Sequence, residues 1–156
     1  MQKPKIDLLV LSITSPILIG IYENEKLVKD FSYEGKTSDI LPLAFEQLTS
    51  EYDINAIFYV NGPGSFMAIK ISYIFLKTFC ITNDIELFAT SGFTFNQNSP
   101  IKALGKKYFF NNKDGKISLN NLDEDTKIYP FELPKKLEKE VFSTNNEPNY
   151  NLPAVN

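Results

Sequence analysis

The stretch best suited to chemistry is Asn61-Gly62-Pro63-Gly64-Ser65, with Lys70 about one helical turn further on. An apolar β run, Ala56 to Val60, precedes it, and a helical run follows from Ser65 or Phe66 to about Asn83. Gly62 and Gly64 accept positive φ without a Cβ clash, and Pro63 fixes the φ between them. Ser65 suits the N-cap of the helix. A strand, a glycine turn and a helix N-terminus in that order aim free backbone N–H groups and the positive end of a helix dipole at one spot. Such a junction can hold a phosphate, with Lys70 as its cation. The same residues equally suit a plain strand-to-helix turn, and both readings stand.

Composition narrows the chemistry. The 156 residues include no His and no Trp, and none of the 16 basic residues is Arg. That excludes a Ser-His-Asp triad, a His-ligated metal and an arginine clamp on phosphate. The single cysteine, Cys80, falls inside the apolar helix and reads as a buried thiol. No disulfide can form within the chain, which suits a reducing, cytoplasmic setting. The net charge of −3 argues against an autonomous nucleic-acid binder, though not against a role beside one. Lys3 and Lys5 precede an apolar stretch that Asp7, Ser12, Thr14, Ser15 and Pro16 interrupt, so it reads as strands rather than a targeting segment. The apolar stretches in general read as too interrupted to span a membrane.

The elements that position the glycine turn follow from periodicity. Ile6–Ser12, Ile17–Tyr22 and Lys26–Tyr33 read as three antiparallel strands, the first apolar on both faces and therefore central. Ser38 or Asp39 can cap a helix running to about Tyr52, with Leu41, Phe45, Leu48 and Tyr52 as its main stripe. The helix after the turn is apolar nearly all round: Ile71, Phe75 and Phe79 lie on a different side from Phe66, Ile69, Tyr73 and Leu76. Its second face needs cover from the chain's own helices or from another chain. Glu86–Ala89 is a short strand, followed by a helical turn capped at Thr90-Ser91. The order βββαβαβ is that of the ribonuclease-H-like lobe of the actin, sugar kinase and Hsp70 class, an α/β fold. Residues 1–100 form this lobe, 101–142 a reduced second lobe and 143–156 an extended tail. In the second lobe a hairpin crosses Asn112-Lys113-Asp114-Gly115, Ile128–Phe131 reads as a strand and Leu133–Val141 as a charged helix.

Asn61-Gly-Pro-Gly-Ser-Phe66 in this setting resembles the N/G-P-G-S-F-T-G-L-R block of the TsaB (YeaZ) family. Leu9–Ser15 is similar to the family's first strand and its A-I-D-T-S turn. Ser38–Leu48 resembles its following helix, Ile85–Ser91 its next strand, and Glu147-Pro-Asn-Tyr150 its closing P-x-Y. The chain departs from the family in four places. Met67-Ala-Ile-Lys70 replaces T-G-L-R, Ile13 stands at the turn aspartate, Ala103-Leu-Gly-Lys-Lys107 stands at D-A-R-R, and the second lobe is short.

The resemblance implies a non-catalytic subunit in synthesis of threonylcarbamoyladenosine on tRNA. Its partners would be a TsaD-like catalytic threonylcarbamoyltransferase and a TsaE-like ATPase, with tRNA met only indirectly and no membrane involved. It also implies a four-helix interface, here built from Leu41, Phe45, Leu48, Ile71, Phe75 and Phe79, so that Phe75→Glu would leave a soluble fold and abolish pairing. Gly62, Gly64, Ser65 and Lys70 would be a degenerate phosphate loop. The fold's nucleotide-binding members place an acidic turn where Ser12-Ile-Thr-Ser-Pro16 stands and a Gly-Gly pair in the second lobe; neither is present. No cofactor is expected beyond weak ATP or ADP binding. A nucleotide sensor and a self-associating homodimer are the alternatives.

Overall fold

The computed structural model describes residues 2–150. Seven elements build the main sheet and its helices: β1 (Lys5–Leu11), β2 (Ile17–Glu23), β3 (Lys26–Tyr33), α1 (Thr37–Glu51), β4 (Asp53–Val60), α2 (Phe66–Asn83) and β5 (Glu86–Thr90). The five strands lie in the order β3-β2-β1-β4-β5. β1 pairs antiparallel with β2 and parallel with β4, so it is central, as its two apolar faces require. The β2–β3 hairpin turns through Asn24 and Glu25, both at positive φ, the geometry that matches strand twist. This is a mixed α/β sheet with the ribonuclease-H-like order expected from the sequence.

Alternation along β1 divides the core. Ile6, Leu8 and Val10 face α1 and α2, where they meet Leu41, Phe45, Leu48, Leu76 and Cys80. Leu9 and Leu11 face the other way, towards Tyr22, Phe58, Val60 and Leu137. A second antiparallel sheet follows, β6 (Ile101–Lys102), β7 (Lys107–Asn111) and β8 (Ile117–Asn121), with Phe109 buried beneath it against Phe93 and Ile101.

Several expectations need correction. α1 starts at Thr37, and its N-cap is Lys36, which makes no side-chain cap; Ser38 and Asp39 lie inside the helix. Residues 128–131 form no strand. Residues 133–141 are not a helix but an extended strap ending in one 3-10 turn, Lys139–Val141. The strap's backbone is committed elsewhere: Leu27 N donates to Lys135 O, and Leu137 N donates to Glu25 O. Tyr22 Oη donates to Pro134 O at 2.6 Å, and Lys139 Nζ pairs with Asp7 at 3.1 Å. A helix would spend those backbone groups on itself and lift Leu137 off the sheet.

The tail continues the strap as far as residue 150. Ser143 and Ala89 exchange both backbone hydrogen bonds along the β5 edge. Asn146 is buried; its Nδ2 donates to Leu87 O, and its carbonyl accepts from Tyr59 Oη. The last six residues of the expected tail, 151–156, lie outside the described residues. α2, at 18 residues, is long and apolar enough by length and composition alone to cross a membrane, a test that the core helix of a globular domain also passes. Here one side of it, Ile69, Ser72, Leu76 and Cys80, is buried against the sheet.

Candidate functional site

The glycine turn is closely packed. Gly62 sits at φ +133°, and a Cβ there would collide with the carbonyl oxygen of Asn149. Its own carbonyl accepts from Gly92 N at 2.9 Å. A Cβ on Gly64 would come within 3.3 Å of Ile13. Ile13, the residue at the turn position where the family carries aspartate, therefore packs onto the glycine loop as an apolar plug. Ser65 caps α2 by accepting from Ala68 N at 3.5 Å. Lys70 Nζ lies 6.0 Å from the centroid of the Phe66 ring, which also packs against Tyr150 at 4.5 Å. Gly62, Gly64, Ser65 and Lys70 thus sit at one junction, but the two glycines are covered by the tail and by Ile13. Close packing accounts for both.

A cleft of about 480 Å³ adjoins the turn, lined by Ser12–Ser15, Lys36–Ser38, Ser65, Met67, Ala68 and Ile71. Its hydroxyls are partly spent within the fold: Ser12 Oγ and Ser72 Oγ lie 2.5 Å apart and buried, and Thr37 Oγ1 donates to Ser12 O. Among the described residues no group of three or more His, Cys, Asp or Glu side chains could hold a metal ion. Cys80 is buried, and that burial pushes its thiol up to about 12, so little nucleophilic thiolate forms.

The other candidate surface is the seam between α1 and α2. An apolar groove of about 520 Å³ runs along it, with Leu41, Pro42, Ile71, Ile74, Phe75 and Phe79 in its walls. Phe75 and Phe79 each stand edge-on to Phe45, at 5.1 and 5.0 Å. Of the six residues expected at an interface, Ile71, Phe75 and Phe79 are half-buried and open to the groove, and Leu41 is its floor. Phe45 and Leu48, expected at the interface, are buried in the core of this chain and do not line the groove. Outward apolar side chains on the two helices include Leu43, Ile74 and Ile81, at 67%, 53% and 70% exposure, and of these Ile74 lines the groove. They could be read from the sequence as apolar positions off the buried stripes of their helices.

No family model matches the chain, and no curated protein matches it in sequence. Solved structures do match in shape. YeaZ from Pseudomonas aeruginosa superposes with a TM-score of 0.60 over 86% of this chain and 72% of that one, at 13% identity. The fold is the YeaZ fold. A second structure, of an uncharacterised protein with similarity to peptidase YeaZ from Pseudomonas aeruginosa, gives a TM-score of 0.53 at 12% identity. It is matched over 81% of this chain and 64% of its own length, so this chain spans less than two thirds of it. The chain therefore shares the YeaZ architecture at a sequence identity of only 12–13%.

Proposed function

We propose that the chain is a non-catalytic, TsaB-like subunit that supports a TsaD-like threonylcarbamoyltransferase in making threonylcarbamoyladenosine on tRNA, together with a TsaE-like ATPase. The observation that carries this reading is the open apolar groove between α1 and α2, with Ile74 exposed in its wall, on a YeaZ fold. An apolar helical face left open to water is unfavourable unless a partner covers it. Half-buried aromatics inside such a groove suit the centre of an interface. The absence of His and Arg from the sequence and the Ile13 plug over the glycine loop support assigning no chemistry to this subunit.

The test is co-purification with the transferase subunit. Phe75 packs on Phe45, so reversing it would also damage the core. Ile74→Glu and Thr78→Glu are cleaner, because both residues line the groove and are exposed. Each is expected to keep the melting temperature within a few degrees and to weaken pairing at least about tenfold. A doubly substituted protein that still co-purifies at wild-type yield would overturn the reading. A homodimer through the same groove is the second reading; sedimentation of the chain alone and with the transferase separates the two.

A further inference from the structure

The chain is acidic overall, but its charge is unevenly placed. Residues 102–116 carry Lys102, Lys106, Lys107, Lys113 and Lys116 against one acid, Asp114. That is four positive charges in a chain of net −3, which leaves seven negative on the rest. All five lysines are exposed, and among the described residues none forms an ion pair, although Asp123-Glu124-Asp125 follow soon after β8. All five lie on or between the strands of the small sheet.

The sheet adds aromatic surface to this charge. β7 buries Phe109, so its neighbours Tyr108 and Phe110 stand on the opposite face, half-buried. Register places Tyr108 between Lys102 of β6 and Asn120 of β8. A cleft of about 340 Å³ opens beside Lys102 and Tyr108, walled by Pro16, Tyr129 and Phe131. Asn96 lines it at 1% exposure. Its Nδ2 donates to Ser99 O, while its Oδ1 has no hydrogen-bond partner. A buried acceptor without a donor is unfavourable and marks a place where a ligand N–H would be stabilised.

We propose that this sheet and cleft form a binding site for single-stranded RNA, with one base in the cleft and the neighbouring phosphates on the lysines. The largely apolar cleft suits a base stacked beside Tyr108 and Tyr129. Asn96 Oδ1 suits an exocyclic amine or ring N–H at its edge. The unpaired lysines suit the backbone on either side of that base, which is how stacking platforms and basic grooves hold single strands. The site lies on the second sheet, away from the α1–α2 seam, and does not depend on the proposed pairing. It would give the chain a direct contact with RNA, where the sequence resemblance implied only an indirect one.

The experiment titrates the full chain, without partners, into a labelled unstructured oligoribonucleotide of about ten nucleotides, with adenosine monophosphate as competitor. Binding is expected with a Kd between about 1 and 100 µM at low salt, weakening as salt rises. Lys106→Glu with Lys113→Glu should lower affinity about tenfold or more at an unchanged melting temperature. Tyr108→Ala should lower it at least about fivefold through lost stacking. Absence of saturable binding, or binding untouched by the double reversal, overturns the proposal. Competition by the free nucleotide at concentrations equal to the oligonucleotide also overturns it, and points to a small-molecule site instead. Failure here leaves the co-purification result unaffected, so the two proposals fail separately.

Discussion

At the scale of single residues, the glycine turn and the buried polar groups carry the sharpest expectations. Gly62→Ala meets both a positive φ and the carbonyl of Asn149, and should cost roughly 3 kcal/mol or more, read by urea denaturation. Gly105 also has positive φ, but a Cβ there meets nothing within 4 Å. Gly105→Ala should therefore cost only about 1 kcal/mol. Comparable losses at the two sites would mean that the tail does not pack on the turn. Cys80 makes a second test. Its thiol is held near 12 by burial, partly offset by Lys77, so thiolate is scarce at pH 8. Its reaction with a thiol reagent should run at least about a hundredfold slower than in the urea-unfolded chain. A rate near that of the unfolded chain would remove Cys80 from the core.

At the scale of elements, what could be read from the sequence depended on whether local pattern or distant partners decided the outcome. β1 was legible because Leu8-Leu9-Val10-Leu11 is apolar on both faces, and α2 because Ser65 caps it and Asp84, at φ 54°, ends it. The strap was not. Its charged residues and the Leu133–Leu137 spacing imitate a helix, but its hydrogen-bond partners are Glu25 and Leu27, more than a hundred residues back in the chain. The groove was half legible. The aromatic excess on α2 announced a second face, yet which rings lie inside depends on how α1 meets it, and Phe45 turned inward between Phe75 and Phe79. Ile13 could be read only as a missing aspartate, because its packing on Gly64 and Gly92 is a tertiary fact. The strap carries its own test. Leu137 is 1% exposed and Glu140 is exposed. Leu137→Ala should cost about 2–4 kcal/mol, whereas Glu140→Ala should leave the stability nearly unchanged. Near-equal effects would mean that the strap does not hold the sheet.

At the scale of the whole molecule, one sheet is closed by helices on one face and largely by an extended strap on the other, and buried ionisable groups hold both closures. Tyr22 lies under the strap and donates to Pro134 O, and burial raises its phenol well above the ordinary value. Tyr59, bonded to Asn146 O, is raised for the same reason, with smaller contributions from Tyr73 and Tyr150. Cys80 is the third such group, on the helix side. In each case the folded chain keeps its proton longer than the unfolded chain, whose values lie near 9.0 for the thiol and 10.0 for the phenols. The stability these groups contribute is therefore complete below about pH 9 and is lost as pH rises through 9 and 10 towards their folded values. No histidine titrates between pH 5 and 8. Urea-denaturation free energies should hence be nearly level from pH 6 to 8, begin to fall above about 9 and fall more steeply above about 10. Tyr59→Phe should be less stable at neutral pH, because Asn146 O loses its donor, yet show a shallower alkaline decline than the parent. A profile that stays level to pH 11, or an alkaline slope unchanged by Tyr59→Phe, would mean that these groups are not sealed between the sheet and its two covers.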